Sequence, residues 1–166
     1  MPISINTYHY TKNKIFRKIA TLPETLWGSF SVIDDNLKLS AIIFRQPDYN
    51  SKEQELHIDW NPRRSEKEKY HMATTFLYLE DSHKNNGATI LVPASHKKLG
   101  YPCEYVNPFI KNSNEYVIEA SKGSLLIINS LVWHKGGNNV SGEKRGGVIT
   151  EYRDRYSKQL LNLKKY

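Results

Sequence analysis

Three residues with the spacing of metal ligands stand out in this 166-residue chain. His57-Ile58-Asp59 lies in the stretch Glu-Leu-His-Ile-Asp-Trp, which reads as extended over Glu55–Asp59 until Asn61-Pro62 stops it. On an extended segment, positions i and i+2 share a face, so an imidazole and a carboxylate converge without a special turn. Two such groups can occupy adjacent positions on one metal ion, and a third donor must come from elsewhere. His134 is the best placed. It follows the apolar run Gly-Ser-Leu-Leu-Ile-Ile-Asn-Ser and precedes a loop with Gly136 and Gly137, where an inward side chain at a barrel mouth is expected. His9, His71, His83 and His96 lack a comparable carboxylate partner on a strand and read as surface or structural residues.

Two imidazoles and one carboxylate on one face of a metal leave about three positions open, the arrangement of non-haem iron(II) oxygenases. Zinc accepts the same donors. Arg145, shortly after His134 and just before the last strand, adds a second function. A dicarboxylate that chelates iron through one end needs a fixed cation for the other. The planar guanidinium binds a carboxylate bidentately and never loses its charge. Lys144 has the charge without that geometry, and the plainer role for Arg145 is a surface salt bridge, for instance with Glu151.

The elements that must position these groups are mostly strands. Residues 11–22 place Ile15, Phe16, Ile19 and Leu22 at helical spacing opposite basic residues, which predicts a short amphipathic helix ended by Pro23. Ser29–Ile33 and Leu37–Phe44, separated by Asp34-Asp35-Asn36, read as a hairpin. Met72–Leu79, Ala88–Val92, Tyr116–Glu119, Ser124–Asn129 and Val148–Tyr152 read as further strands. Residues 94–115 form an irregular excursion, and 153–166 a basic tail or helix. Many short strands with frequent turn signals predict a mainly β chain: a double-stranded β-helix (jelly roll, cupin-like) with a short N-terminal helix.

Composition bounds the function classes. The length suits one domain over 1–166, and a hydrophobic share of 39% is that of a soluble globule rather than a disordered or membrane chain. No apolar run is long enough for a bilayer, and residues 1–10 lack the apolar core of a secretory signal. Cys103 is the single cysteine, which excludes an internal disulfide and fits a reducing, cytoplasmic setting. The net charge of +7 is concentrated at the chain ends, residues 1–20 and 153–166. Between them acids slightly outnumber bases, which argues against a cationic nucleic-acid cleft. A homo-oligomer is compatible with the sequence.

From about residue 37 to 152 the chain resembles the phytanoyl-CoA dioxygenase family of Fe(II)/2-oxoglutarate oxygenases. Three blocks carry the likeness in order: ELHIDW (55–60), FLYLEDSHKNNGATILVPASHK (76–97) and GSLLIINSLVWHKGGNNVSGEKRGGVITEY (123–152). The resemblance implies that His57, Asp59 and His134 ligate Fe(II), that Arg145 binds the far carboxylate of the co-substrate 2-oxoglutarate, and that Phe76 lines the pocket as an aromatic wall. It also implies hydroxylation of a small-molecule substrate by O2 with release of succinate and CO2, because halogenating relatives have a small residue where Asp59 stands. Three departures are visible. Ala94 replaces the usual glycine of a Val-Pro-Gly-Ser-His turn, a mild change if the backbone there needs no positive φ. Gly136 stands where many relatives carry a hydroxyl that helps hold 2-oxoglutarate, and less N-terminal helical structure precedes the first strand than is usual.

Two other classes stay open at this point: a 2-oxoglutarate-independent metal enzyme of cupin type, and a degenerate jelly-roll module that keeps its metal ligands without turnover. Substrate choice is expected to reside in loops 45–54, 60–71 and 94–115. There, Arg63 and Arg64 either meet an anionic substrate or belong to a solvated loop.

Overall fold

The computed structural model describes residues 13–33 and 36–157. Two helices precede the strands. Helix α1 (Lys14–Ala20) is capped by Asn13, whose Oδ1 accepts from the Ile15 backbone amide at 3.0 Å. It turns Phe16, Ile19 and Ala20 toward Ile42 and Val148. Ile15, expected on the apolar face, is instead exposed.

Helix α2 (Pro23–Ile33) corrects the expected hairpin: Ser29–Ile33 is its last turns and not a strand. Pro23 opens this helix rather than merely closing the one before it, as its fixed φ and missing N–H favour. Thr25, Ser29 and Ile33 recur every four residues and are buried. Gly28 lets α2 sit directly on the sheet, since a Cβ there would lie 2.2 Å from Ile127 Cδ1.

The strands are β1 (Leu37–Arg45), β2 (Met72–Tyr78), β3 (Thr89–Leu91), β4 (Tyr116–Val117), β5 (Leu125–Asn129), β6 (His134–Gly136) and β7 (Gly147–Asp154). They form an antiparallel four-stranded sheet in the order β1-β7-β2-β5 and a smaller sheet in the order β4-β3-β6. This is the mainly β jelly roll that the strand pattern predicts. Each expected strand from Leu37 onward is present, although the minor-sheet strands are shorter than the sequence suggests. The excursion at 94–115 is irregular apart from 3-10 turns at Ser95–Lys97 and Pro102–Glu104.

The two faces of the large sheet divide the labour. Val148, Thr150 and Tyr152 alternate toward the helices, with Ala73, Thr75 and Ile42 beside them. Burying each large apolar side chain there contributes about 1.5–3 kcal/mol. Tyr152 also donates its hydroxyl to the Ala20 carbonyl at 2.5 Å, tying the end of α1 to β7. The opposite face carries Gly147, Ile149 and Glu151 of β7. In register beside them are Arg45 and Ile43 of β1 and Phe76 and Thr74 of β2. These residues line a cavity of about 210 Å³ closed on its other side by β6.

Candidate functional site

His57 and Asp59 reach the cavity from an extended segment that belongs to neither sheet. A β-bridge anchors it: the His57 amide donates to the His134 carbonyl, and the His134 amide to the His57 carbonyl, both at 3.0 Å. The Asp59 amide donates to the Ser130 carbonyl at 2.9 Å. Backbone pairing therefore brings the distant histidine beside the His-x-Asp pair, as expected. One donor atom from each of His57, Asp59 and His134 lies within 4.8 Å of the others, close enough for one ion.

Hydrogen bonds fix the orientation of these side chains. His57 Nδ1 lies 2.8 Å from the Glu55 carbonyl and His134 Nδ1 2.8 Å from the Val132 carbonyl. A carbonyl only accepts, so each Nδ1 carries the hydrogen and each Nε2 faces the carboxylate. His134 Nε2 lies 3.4 Å from Asp59 Oδ2, and His57 Nε2 lies 3.9 Å from Oδ1. The Thr74 hydroxyl donates to Asp59 Oδ2 at 2.8 Å and pairs with Ser130 Oγ at 2.7 Å. Phe76 meets the His134 ring edge-on, with centroids 6.2 Å apart.

Electrostatics follow the geometry. Burial pushes the Asp59 carboxyl up, but His134, His57 and the Thr74 hydroxyl outweigh it and bring it down to about 2. Burial and the neighbouring His134 lower His57. For His134, burial is outweighed by Asp59, and its pKa rises. Two nitrogen donors and one anionic oxygen suit iron and zinc alike.

Arg145 is buried, with 6% of its surface exposed, and lines the same cavity. It makes no salt bridge to Glu151; its Nε has no hydrogen-bond partner. Burial lowers its pKa to about 10, an effect opposed by Tyr78 and reinforced by Arg45. The turn before β7 is fixed by Glu80, whose Oε2 accepts from the Gly146 amide at 2.5 Å.

Sequence reasoning missed several groups. Arg45, Gln54 and Glu151 line the cavity; the first two fall in the loop 45–54, where substrate choice is expected, without being named individually, and Glu151 enters the sequence reading only as a salt-bridge partner of Arg145. Gln54 fills the space at Gly136: its Oε1 accepts from the Gly136 amide at 2.8 Å, and a Cβ at 136 would lie 2.8 Å from that oxygen. Burial and Asp59 push Glu151 up to about 7. Burial lowers Arg45, partly offset by Asp59. The parity of β7 was the available signal for Glu151, because 147, 149 and 151 share one face.

Other expectations need correction. Arg63 neither enters the cavity nor belongs to a solvated loop. It is buried, donates to the Glu66 and Glu68 carbonyls, and stacks on Tyr70 at 4.3 Å. Arg64 pairs with Glu104 at 2.8 Å. Ala94 does adopt positive φ (62°), so the missing glycine is a strained substitution rather than a neutral one. His71 and His83 each face a carboxylate, Asp154 at 3.5 Å and Glu143 at 2.8 Å, as isolated pairs away from the cavity.

A jelly roll with an inward His-Asp-His set and a buried guanidinium defines a class that the comparisons name. The phytanoyl-CoA dioxygenase family model matches residues 6–147, and the chain belongs to that family. Among solved structures, it is similar to HygX from Streptomyces hygroscopicus with nickel and 2-oxoglutarate bound (14% identity, TM-score 0.75, covering 92% of this chain and 72% of that one). It is also similar to the non-heme alpha-ketoglutarate-dependent epimerase SnoN from nogalamycin biosynthesis (17% identity, TM-score 0.70, 87% and 59%). EctD from S. alaskensis with bound Fe is a third (12% identity, TM-score 0.71, 87% and 54%). Among curated proteins, the uncharacterized protein Rv1501 of Mycobacterium tuberculosis is 28% identical over 79 residues, 48% of this chain and 28% of that protein. Among the described residues, no helix is long and apolar enough to cross a membrane.

Proposed function

We propose that this chain is a single Fe(II)/2-oxoglutarate-dependent oxygenase domain that hydroxylates a small molecule. Its iron ligands are His57, Asp59 and His134. Arg145 holds the far carboxylate of 2-oxoglutarate, and Phe76 walls the pocket. One observation carries this reading: a three-donor cluster and a buried guanidinium with a free Nε–H share one cavity. A zinc hydrolase or 2-oxoglutarate-independent cupin has no use for that guanidinium.

When bound, iron with 2-oxoglutarate and O2 supplies the oxidising power that yields succinate, CO2 and a hydroxylated carbon. The protein does the rest. The Glu55 and Val132 carbonyls keep the imidazole lone pairs aimed inward, and Thr74 fixes the Asp59 carboxylate. Arg145 orients the co-substrate bidentately. Ile43, Phe76 and Ile149 make the floor that excludes water. The aspartate occupies the position a halide would need, so hydroxylation is favoured over halogenation. A reducing, cytoplasmic setting suits the lone exposed Cys103.

Anaerobic addition of Fe(II) and 2-oxoglutarate tests the reading. A weak visible charge-transfer band, followed by succinate release on admitting O2, is the expected result. A metal-loaded protein with no band and no succinate overturns it in favour of the degenerate module.

A further inference from the structure

Two charged side chains of the cavity have no role in holding iron or 2-oxoglutarate. Glu151 and Arg45 both face the interior, and among the described residues neither side chain has a hydrogen bond or an ion pair with protein. Both are half-buried, so solvent can meet them, and a ligand that displaces that solvent must supply their partners.

Their placement separates them. Arg45 lies in register with Gly147, two residues after Arg145, so both arginines enter the cavity near the start of β7. Glu151 is four residues further along β7, about 13 Å away along the strand. There it stands between Ala41 of β1 and Thr74 of β2, beside the threonine that grips Asp59. Ala41 offers only a methyl group, so the carboxyl is not covered from that side. One end of the cavity is thus suited to anions, and the end nearest the candidate metal carries a single acid awaiting a positive partner. Ile149 and Phe76 form an apolar stretch between them.

We propose that Glu151 is a substrate-binding residue, selecting small molecules that carry an ammonium group close to the carbon to be hydroxylated. This rests on the oxygenase reading above for the reaction, but not for the binding. The carboxylate accepts a charge-assisted hydrogen bond from the ammonium, and the apolar floor takes the attached aliphatic segment.

The test uses putrescine, cadaverine and 4-aminobutan-1-ol against 1,4-butanediol and 1,5-pentanediol as uncharged matches. The readouts are the thermal shift of metal-free protein and succinate formation by the iron-loaded protein. The amines raise the melting temperature and stimulate succinate formation, and the diols do neither. Glu151→Gln weakens amine binding by about tenfold or more, the size expected for a hydrogen bond to a charged group. Glu151→Asp keeps the preference for amines, and neither variant changes the affinity for 2-oxoglutarate read from the charge-transfer band. Equal effects of amines and diols, no effect of any amine, or unchanged amine binding in Glu151→Gln overturns the proposal. So does a loss confined to iron affinity, which would make Glu151 a positioning residue for Asp59. A missing charge-transfer band in wild type counts against the oxygenase reading alone, because the metal-free thermal shift still decides the role of Glu151.

Discussion

The two ends of one cavity are built on opposite terms. At the candidate metal end each side chain is held by the protein: both imidazoles by backbone carbonyls, and Asp59 by Thr74, itself paired with Ser130. At the far end Arg145 has an Nε–H with no acceptor. Between the two ends, Phe76 and Ile149 supply an apolar floor. The contrast teaches where pre-organisation is spent. A metal ion imposes strict geometry and needs its donors fixed in advance. An exchanging carboxylate is better met by cations that have no competing protein partner.

Mutations can break or sharpen that contrast. The largest effect is expected from Asp59→Ala, which removes the anionic donor: tight iron binding and succinate formation are both lost, as read by iron titration and product assay. Arg145→Gln acts at the other end. It raises the half-saturating 2-oxoglutarate concentration by about 10- to 100-fold while leaving iron affinity intact, the scale of one charge-assisted pair. If it instead lowered iron affinity, the two ends would not be independent. Thr74→Val should weaken iron binding by about tenfold, the lower range for a group that only orients a ligand. Its titration with 2-oxoglutarate, once iron is saturating, should match wild type.

The smallest effect lies outside the contrast and controls for it. Ala94→Gly relieves a left-handed backbone and should stabilise the fold by about 1 kcal/mol in denaturant unfolding. Iron and 2-oxoglutarate affinities stay unchanged.

Legibility in the sequence also differed between the ends. His57, Asp59 and His134 were readable because period-2 spacing and a strand-then-glycine context are local signals, and the bridge at His57 and His134 brings them together. Arg145 drew notice by its position before the last strand, and it lines the cavity. Arg45 and Glu151 were not readable, because their facing depends on register between strands far apart in sequence, nor was Gln54, which meets Gly136 from 82 residues away. Ser29–Ile33 misled for another reason. Phe, Val and Ile favour strands, but packing of Gly28 against Ile127 and the helix start at Pro23 overrode that weak preference. Arg63 misled because a charged stretch conceals an arginine that folds back onto its own carbonyls.

The reciprocal amide bonds between His57 and His134 have a consequence for assembly. An unfolded chain offers the His-x-Asp pair as a two-point chelator at most, and the third donor arrives only after a long loop has closed. Metal uptake at the proposed site is therefore expected to report completed topology. Ion added to the folded protein should raise the midpoint of unfolding in step with its free concentration, as for any ligand that recognises only the native chain.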